Sequence, residues 1–152
     1  MRSKRSAMDE LDRKIIAELQ RNGRESYKEI ARKLDVSDGT VRSRTEQMMR
    51  ENVLRITASV NPFALETGIT ALVGMQLAKR THMSTMERIS QLKGVISVCN
   101  ATGRYDLLVE VFLESRKELN RFLIEDLSRI GGINSTETFI YLDAINKWMQ
   151  FS

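Results

Sequence analysis

Two short stretches concentrate the side chains able to do chemistry. In the first, Ser37, Asp38, Gly39 and Thr40 lead into Arg42, Ser43 and Arg44. A guanidinium such as that of Arg42 can bridge O6 and N7 of guanine, and a hydroxyl such as that of Ser43 can bond several base edges. Thr40 and Arg44 beside them suit phosphate oxygens. In the second stretch, Thr102-Gly103-Arg104-Tyr105-Asp106, a cation and loop amides stand next to a carboxylate. A free amino acid needs such a set: donors for its carboxylate from Arg104 and the amides around Gly103, and an acceptor for its ammonium from Asp106. Both stretches have plainer readings. Arg and Ser are common on any solvated helix, and Asp38 and Glu46 repel phosphate unless arginines balance them. A link of this kind between two strands is first of all a hairpin turn, in which an Asp often bonds backbone.

Other chemistry is excluded early. The 152 residues contain one His and one Cys, too few for a His/Cys metal site, a histidine acid–base pair or an internal disulfide. His82 reads as a solvated loop residue and Cys99 as a small buried strand residue. No Gly-rich phosphate loop and no carboxylate pair in a convincing setting occurs. No metal, cofactor or catalytic activity is therefore expected. No apolar run is long enough for a membrane helix. The basic opening Met-Arg-Ser-Lys-Arg lacks the apolar core of a signal peptide. A soluble, cytoplasmic chain is expected. The net charge of +4 lies wholly in residues 1–60, while the remainder is neutral. A basic end joined to a neutral end suits a polyanion on one side and protein or small molecules on the other.

The elements that must hold the first stretch are three helices. Residues 1–7 read as a basic tail. Asp9 and Asp12 open a helix to about Gln20 whose stripe is Leu11, Ile15, Ile16 and Leu19, and Asn22-Gly23 stops it. Ser26 with Glu29 forms an S-x-x-E capping box for the second helix, with Ile30, Ala31 and Leu34 inward. The third runs from Ser37 to about Arg50 with Val41, Thr45 and Met48 inward. Gly39, Arg42, Ser43 and Glu46 are left on its outer face. The tight connection at Asp35, a residue that tolerates left-handed backbone, predicts a helix-turn-helix. Leu54, Ile56, Ala58 and Val60 then alternate with polar residues and predict a linker strand ended by Asn61-Pro62.

The second stretch belongs to a β-α-β-β-α-β order. Strands are predicted over Ile69–Ala78, Val95–Ala101, Tyr105–Leu113 and Asn134–Leu142. One helix opens on a Ser84/Glu87 box and stops at Gly94. The other runs from Ser115 to Ile130 with Leu119, Phe122, Leu123, Leu127 and Ile130 inward. The fold class is thus α+β: an N-terminal three-helix helix-turn-helix domain and a C-terminal ferredoxin-like domain. Two helices cover only one face of such a sheet. Leu72, Leu108, Phe112, Phe139 and Tyr141 are too apolar to leave the other wet, which predicts a sheet-to-sheet homodimer.

The chain resembles the Lrp/AsnC (leucine-responsive/asparagine) family of transcription regulators. The resemblance rests on Met8–Ile16, Ile30–Leu34, Val36–Arg44 and Val53-Leu54, and continues through the second half. It implies a regulator that binds double-stranded DNA, dimers assembling into rings of eight, and an amino-acid effector at Gly103, Arg104, Tyr105 and Asp106. It also implies that Thr136 and Thr138 contact the effector. Asp35 and Asn52 stand where the family usually has Gly, Thr45 where it has Ile or Val, and Arg104 where it often has an acidic residue. The expected organisation is a tail over 1–7, a DNA-binding domain over 8–53, a linker strand and hinge over 54–68, and a sensing and oligomerisation domain over 69–152. Two other classes fit the same elements: an architectural protein that wraps DNA without an effector, and an amino-acid-binding regulatory subunit of an enzyme.

Overall fold

A computed structural model describes residues 8–78 and 83–150. The basic tail and His82 lie outside the described residues. The chain divides between Ala58 and Ser59 into two compact units.

In the first unit, α1 (Glu10–Arg21) begins at a reciprocal capping box. The Asp12 amide donates to Asp9 Oδ1 at 2.9 Å and the Asp9 amide to Asp12 Oδ2 at 3.2 Å. In α2 (Tyr27–Leu34), Ser26 accepts from the Glu29 amide, while the Glu29 carboxylate turns to Arg32. Asp35 takes φ +54° and ψ +49°, the left-handed turn that redirects the chain into α3 (Asp38–Arg50). Asn52 does the same after α3, at φ +54°. Ile15, Leu19, Ile30, Ala31, Val41 and Met48 form the core. Thr45 is fully buried among them, and its hydroxyl donates to the Val41 carbonyl at 2.8 Å, so the polar atom carries its own partner.

The second unit is a four-stranded antiparallel sheet in the order β2-β3-β1-β4, where β1 is Ile69–Leu77, β2 Val95–Asn100, β3 Leu107–Leu113 and β4 Ile133–Ile140. One face carries Ala71, Val73, Met75, Leu107, Val109 and Val111, all fully buried. They pack under α4 (Met83–Ser90) and a helix of three segments: α5 (Arg116–Arg121), a π turn over Phe122–Asp126, and α6 (Leu127–Ile130). The π turn has a packing reason. Phe122 and Leu127 are both buried five residues apart, the spacing of a π turn. Asp126 is thereby left to pair with Arg121 and Arg129.

Three expectations are corrected. Residues 54–59 form no strand, and the linker enters pairing only at an isolated bridge, where Val60 and Met149 exchange bonds of 2.8 and 3.0 Å. Alternation specifies two faces but cannot supply a partner strand. Ser84 does not cap α4, because it stands inside a helix already begun at Met83, where an N-cap's non-helical backbone is excluded. Cys99 is exposed rather than buried: β2 is an edge strand, and Cys99 pairs with Leu108 on the face without helices.

Candidate functional site

The outer face of α3 is set by what its inner face buries. With Val41, Thr45 and Met48 inward, Asp38, Gly39, Arg42, Ser43, Glu46 and Gln47 are exposed. Ser37 is occupied as the N-cap, accepting from the Thr40 amide at 3.1 Å, and its hydroxyl lies 2.8 Å from that of Thr40. Both therefore shape the start of the helix. Arg42 lies over the Tyr27 ring, 5.4 Å from its centroid. Arg44 is half-buried and ion-paired with two carboxylates, Asp9 and Asp12. Those carboxylates push the Arg44 guanidinium's pKa above its ordinary value. Asp9 is held below its own, first by the Asp12 amide and then by Arg44. Lys33 binds α2 to α1 through Glu18 at 3.0 Å and also pairs with Glu25. Hydrogen bonding from Lys33 is the main reason the Glu18 carboxyl stays below its usual range.

In the second unit the loop 103–106 sits at the entry to β3. Gly103 has φ +131°, a conformation that favours glycine, and open space where a Cβ would stand. The Arg104 carbonyl accepts from Gln76 Nε2 at 3.0 Å. Its guanidinium lies 3.7 Å from Glu137 and over the Tyr105 ring, 5.6 Å from the centroid. The Tyr105 ring rests on Gly74 and meets Phe139 edge-on at 6.4 Å. Its hydroxyl is buried without a hydrogen-bond partner among the described residues. Asp106 donates its amide to the Met75 carbonyl, and its Oδ2 accepts from the Leu77 amide at 2.8 Å.

Thr136 and Thr138 are not brought to this loop within one chain. They stand opposite Met75 and Val73, whose side chains enter the helix-covered core. Residues directly opposite in a ladder share a face, so both threonines point to the helix side. Thr136 there borders an open cavity of about 220 Å³ with Leu123, Leu127 and Ser128. Gly74, Glu137 and Phe139, which receive Arg104 and Tyr105, lie on the other face. Sequence reasoning missed Tyr27, Gln76 and Glu137. Each is defined by a contact across elements, which periodicity within one element does not register.

The first unit matches the AsnC-type helix-turn-helix domain over residues 8–49, and the second the Lrp/AsnC ligand binding domain over residues 70–150. The chain is 38% identical over 142 residues to an uncharacterised HTH-type transcriptional regulator of Pyrococcus furiosus, covering 93% of this chain and 95% of that protein. Among solved structures, Escherichia coli AsnC aligns with a TM-score of 0.71 at 29% identity, over 91% of this chain and 95% of that one. A Neisseria meningitidis regulator solved as a complex with L-Met shares the fold, with a TM-score of 0.69 at 21% identity and coverage of 92% and 93%. Fold and site define a helix-turn-helix protein with a second, ligand-binding domain. The chain belongs to the Lrp/AsnC family of transcription regulators, and the relatives it matches are regulators rather than enzymes.

Proposed function

We propose that this regulator reads double-stranded DNA with the exposed face of α3, that it responds to a free amino acid, and that it works as a homodimer or a ring of dimers in the cytoplasm, where the DNA is. The observation that carries the DNA reading is the face itself. Gly39, Arg42 and Ser43 are exposed side by side on a helix whose opposite side is locked into a core. Such a face matches the way a recognition helix enters the major groove.

The DNA-facing set is Ser37, Asp38, Gly39, Thr40, Arg42, Ser43 and Arg44. In it Ser37 and Thr40 set the helix start, and Arg44, paired with Asp9 and Asp12, contributes by holding α3 in place. The effector set is Gly103, Arg104, Tyr105, Asp106, Thr136 and Thr138. Its members occupy opposite faces of the sheet within one chain, so a ligand touching all of them takes them from different copies. The buried, unpartnered Tyr105 hydroxyl supports a bonding group arriving from outside the chain, since an orphaned hydroxyl is costly. Phe139, on the face without helices, is exposed, as are Leu142, Ile145 and Trp148 in the segment after β4, Leu142 and Ile145 at 93%. That favours a second copy over these apolar residues.

Selection of bound duplexes from a random pool, repeated with each common amino acid and with L-Met first, tests the whole. A selected sequence whose affinity or complex size changes with one amino acid is the expected outcome. Equal binding to every duplex, unchanged by any amino acid, would favour the architectural alternative. A stable monomer in light scattering would overturn the dimer.

A further inference from the structure

Arg42 and Arg44 stand two residues apart on α3 and look interchangeable in the sequence, yet they are held differently. We propose that they divide the work of DNA binding, with Arg42, seated on Tyr27, presented to the bases, and Arg44 acting as a positioning residue that fixes α3 against the start of α1. This rests on the reading of α3 as the DNA-contacting helix.

The partners carry the distinction. Arg44 Nη1 bonds Asp12 Oδ1 at 3.1 Å and also the Asp9 carboxylate, a link across 35 residues of sequence. The two carboxylates cannot swing away, because each also accepts an amide in the α1 capping box. Arg44 therefore meets two negative charges before any DNA arrives. The three groups together carry a net charge of about −1 at neutral pH, so a phosphate gains nothing by approaching them. Arg42 has no carboxylate partner among the described residues. It lies against the Tyr27 ring face, and Tyr27 is the first residue of α2. A guanidinium lying on a ring keeps its N–H edge free for in-plane bonding while losing conformational freedom. Tyr27 thus acts through Arg42, aiming it before it meets a guanine.

The salt dependence of binding separates the two roles. The full chain is titrated against a selected duplex and a random duplex at several salt concentrations. Each phosphate contact contributes about 0.9 to the slope of log affinity against log salt. Arg44→Ala is expected to weaken the selected duplex more than the random one and to leave the slope unchanged. A slope shallower by about 0.9 would make Arg44 a phosphate contact and overturn the proposal. Asp9→Asn with Asp12→Asn keeps the capping oxygens but frees Arg44. This pair should steepen the slope by up to about 0.9 even if the Arg44 variant fails to fold, and an unchanged slope would count against the proposal.

Arg42→Ala should cost about 5- to 150-fold on the selected duplex and relax preference at one base pair. Tyr27→Ala should relax the same base pair, and the double variant should be no weaker than Arg42→Ala alone. Additive losses would show that Tyr27 does not act through Arg42. A wild-type protein that prefers no duplex would defeat the DNA reading itself, an outcome distinct from either result with the arginines.

Discussion

The Asp106 carboxylate and the Leu77 amide are joined by a 2.8 Å hydrogen bond at the point where the pairing of β1 with β4 shifts register. Beyond Met75 the β1–β3 ladder ends, and the Asp106 amide donates to the Met75 carbonyl. Asp106 therefore fastens the entrance of β3 to β1 through both main chain and side chain. One carboxylate oxygen is committed to the fold. The other, Oδ1, makes no bond among the described residues, and on the proposed effector reading it is the atom that would accept from a ligand's ammonium.

Removing Asp106 consequently does two things, which a pair of substitutions separates. Asp106→Ala should lower stability in urea unfolding by about 1–3 kcal/mol, because the Leu77 amide loses its acceptor. Asp106→Asn keeps an oxygen for that amide and should unfold close to the wild-type protein. If the proposed effector reading holds, it should nonetheless bind an amino acid more weakly in calorimetry, having lost the charge proposed to face the ammonium. Undiminished binding by the Asn variant would place the ammonium elsewhere.

What could be read from the chain was local. Asp9 with Asp12, and Asp35 and Asn52 at left-handed positions, are decided within a few residues by backbone chemistry, and the helix starts and turns they predict are present. In β3 buried and half-buried positions alternate along the whole strand, as its period requires. What could not be read depended on a second element. Leu54 to Val60 alternates as a strand does, but only Val60 finds a partner, in Met149. Ser84 and Glu87 have capping spacing, which also occurs by chance inside a helix. Thr136 and Thr138 share a side, but which side they share depends on the β1–β4 register. The candidate site suffers most from this, because Tyr27 under Arg42 and Glu137 beside Arg104 are contacts between elements.

Gly74 is where such a contact leaves room for nothing else. A Cβ there would lie 2.7 Å from Cγ and Cδ2 of Tyr105. Gly74→Ala must move the ring, and should cost about 1–3 kcal/mol as an overpacking change. In a Tyr105→Ala background the same substitution should cost much less, since its obstacle is gone. Urea unfolding of the two single variants and the double completes the cycle. Equal costs in both backgrounds would mean that the ring does not rest on Gly74 in solution.

Thr45 occupies a slot that the family resemblance assigns to Ile or Val, and its hydroxyl survives burial by bonding back to Val41. That bond lends no partner to any other helix. Thr45→Val keeps the shape and removes the hydroxyl, and the Val41 carbonyl keeps its place in the helical ladder. Stability should therefore stay level or rise by up to about 1 kcal/mol. A loss greater than about 1 kcal/mol in urea unfolding would show that the hydroxyl contributes more than its own satisfaction.

Acid should loosen the helical unit through a definable set of groups. Glu18 is held below its ordinary 4.5 chiefly by the hydrogen bond from Lys33, Glu29 chiefly by that from Arg32, and Asp9 below 3.8 chiefly by the Asp12 amide. In each case the unfolded chain takes up a proton at a higher pH than the folded one. Between the two values the unfolded state binds more protons, so stability rises with pH there. The contribution is complete above the ordinary carboxylate values and disappears as pH falls through the folded ones. Urea midpoints measured from about pH 7 down to about pH 3 should hold steady and then drop once pH passes below the ordinary range. Glu18→Gln, which cannot titrate but retains an oxygen for Lys33, should start less stable at neutral pH and fall less steeply in acid. If its acid slope equals that of the wild-type protein, the Glu18–Lys33 pair contributes nothing to the acid response.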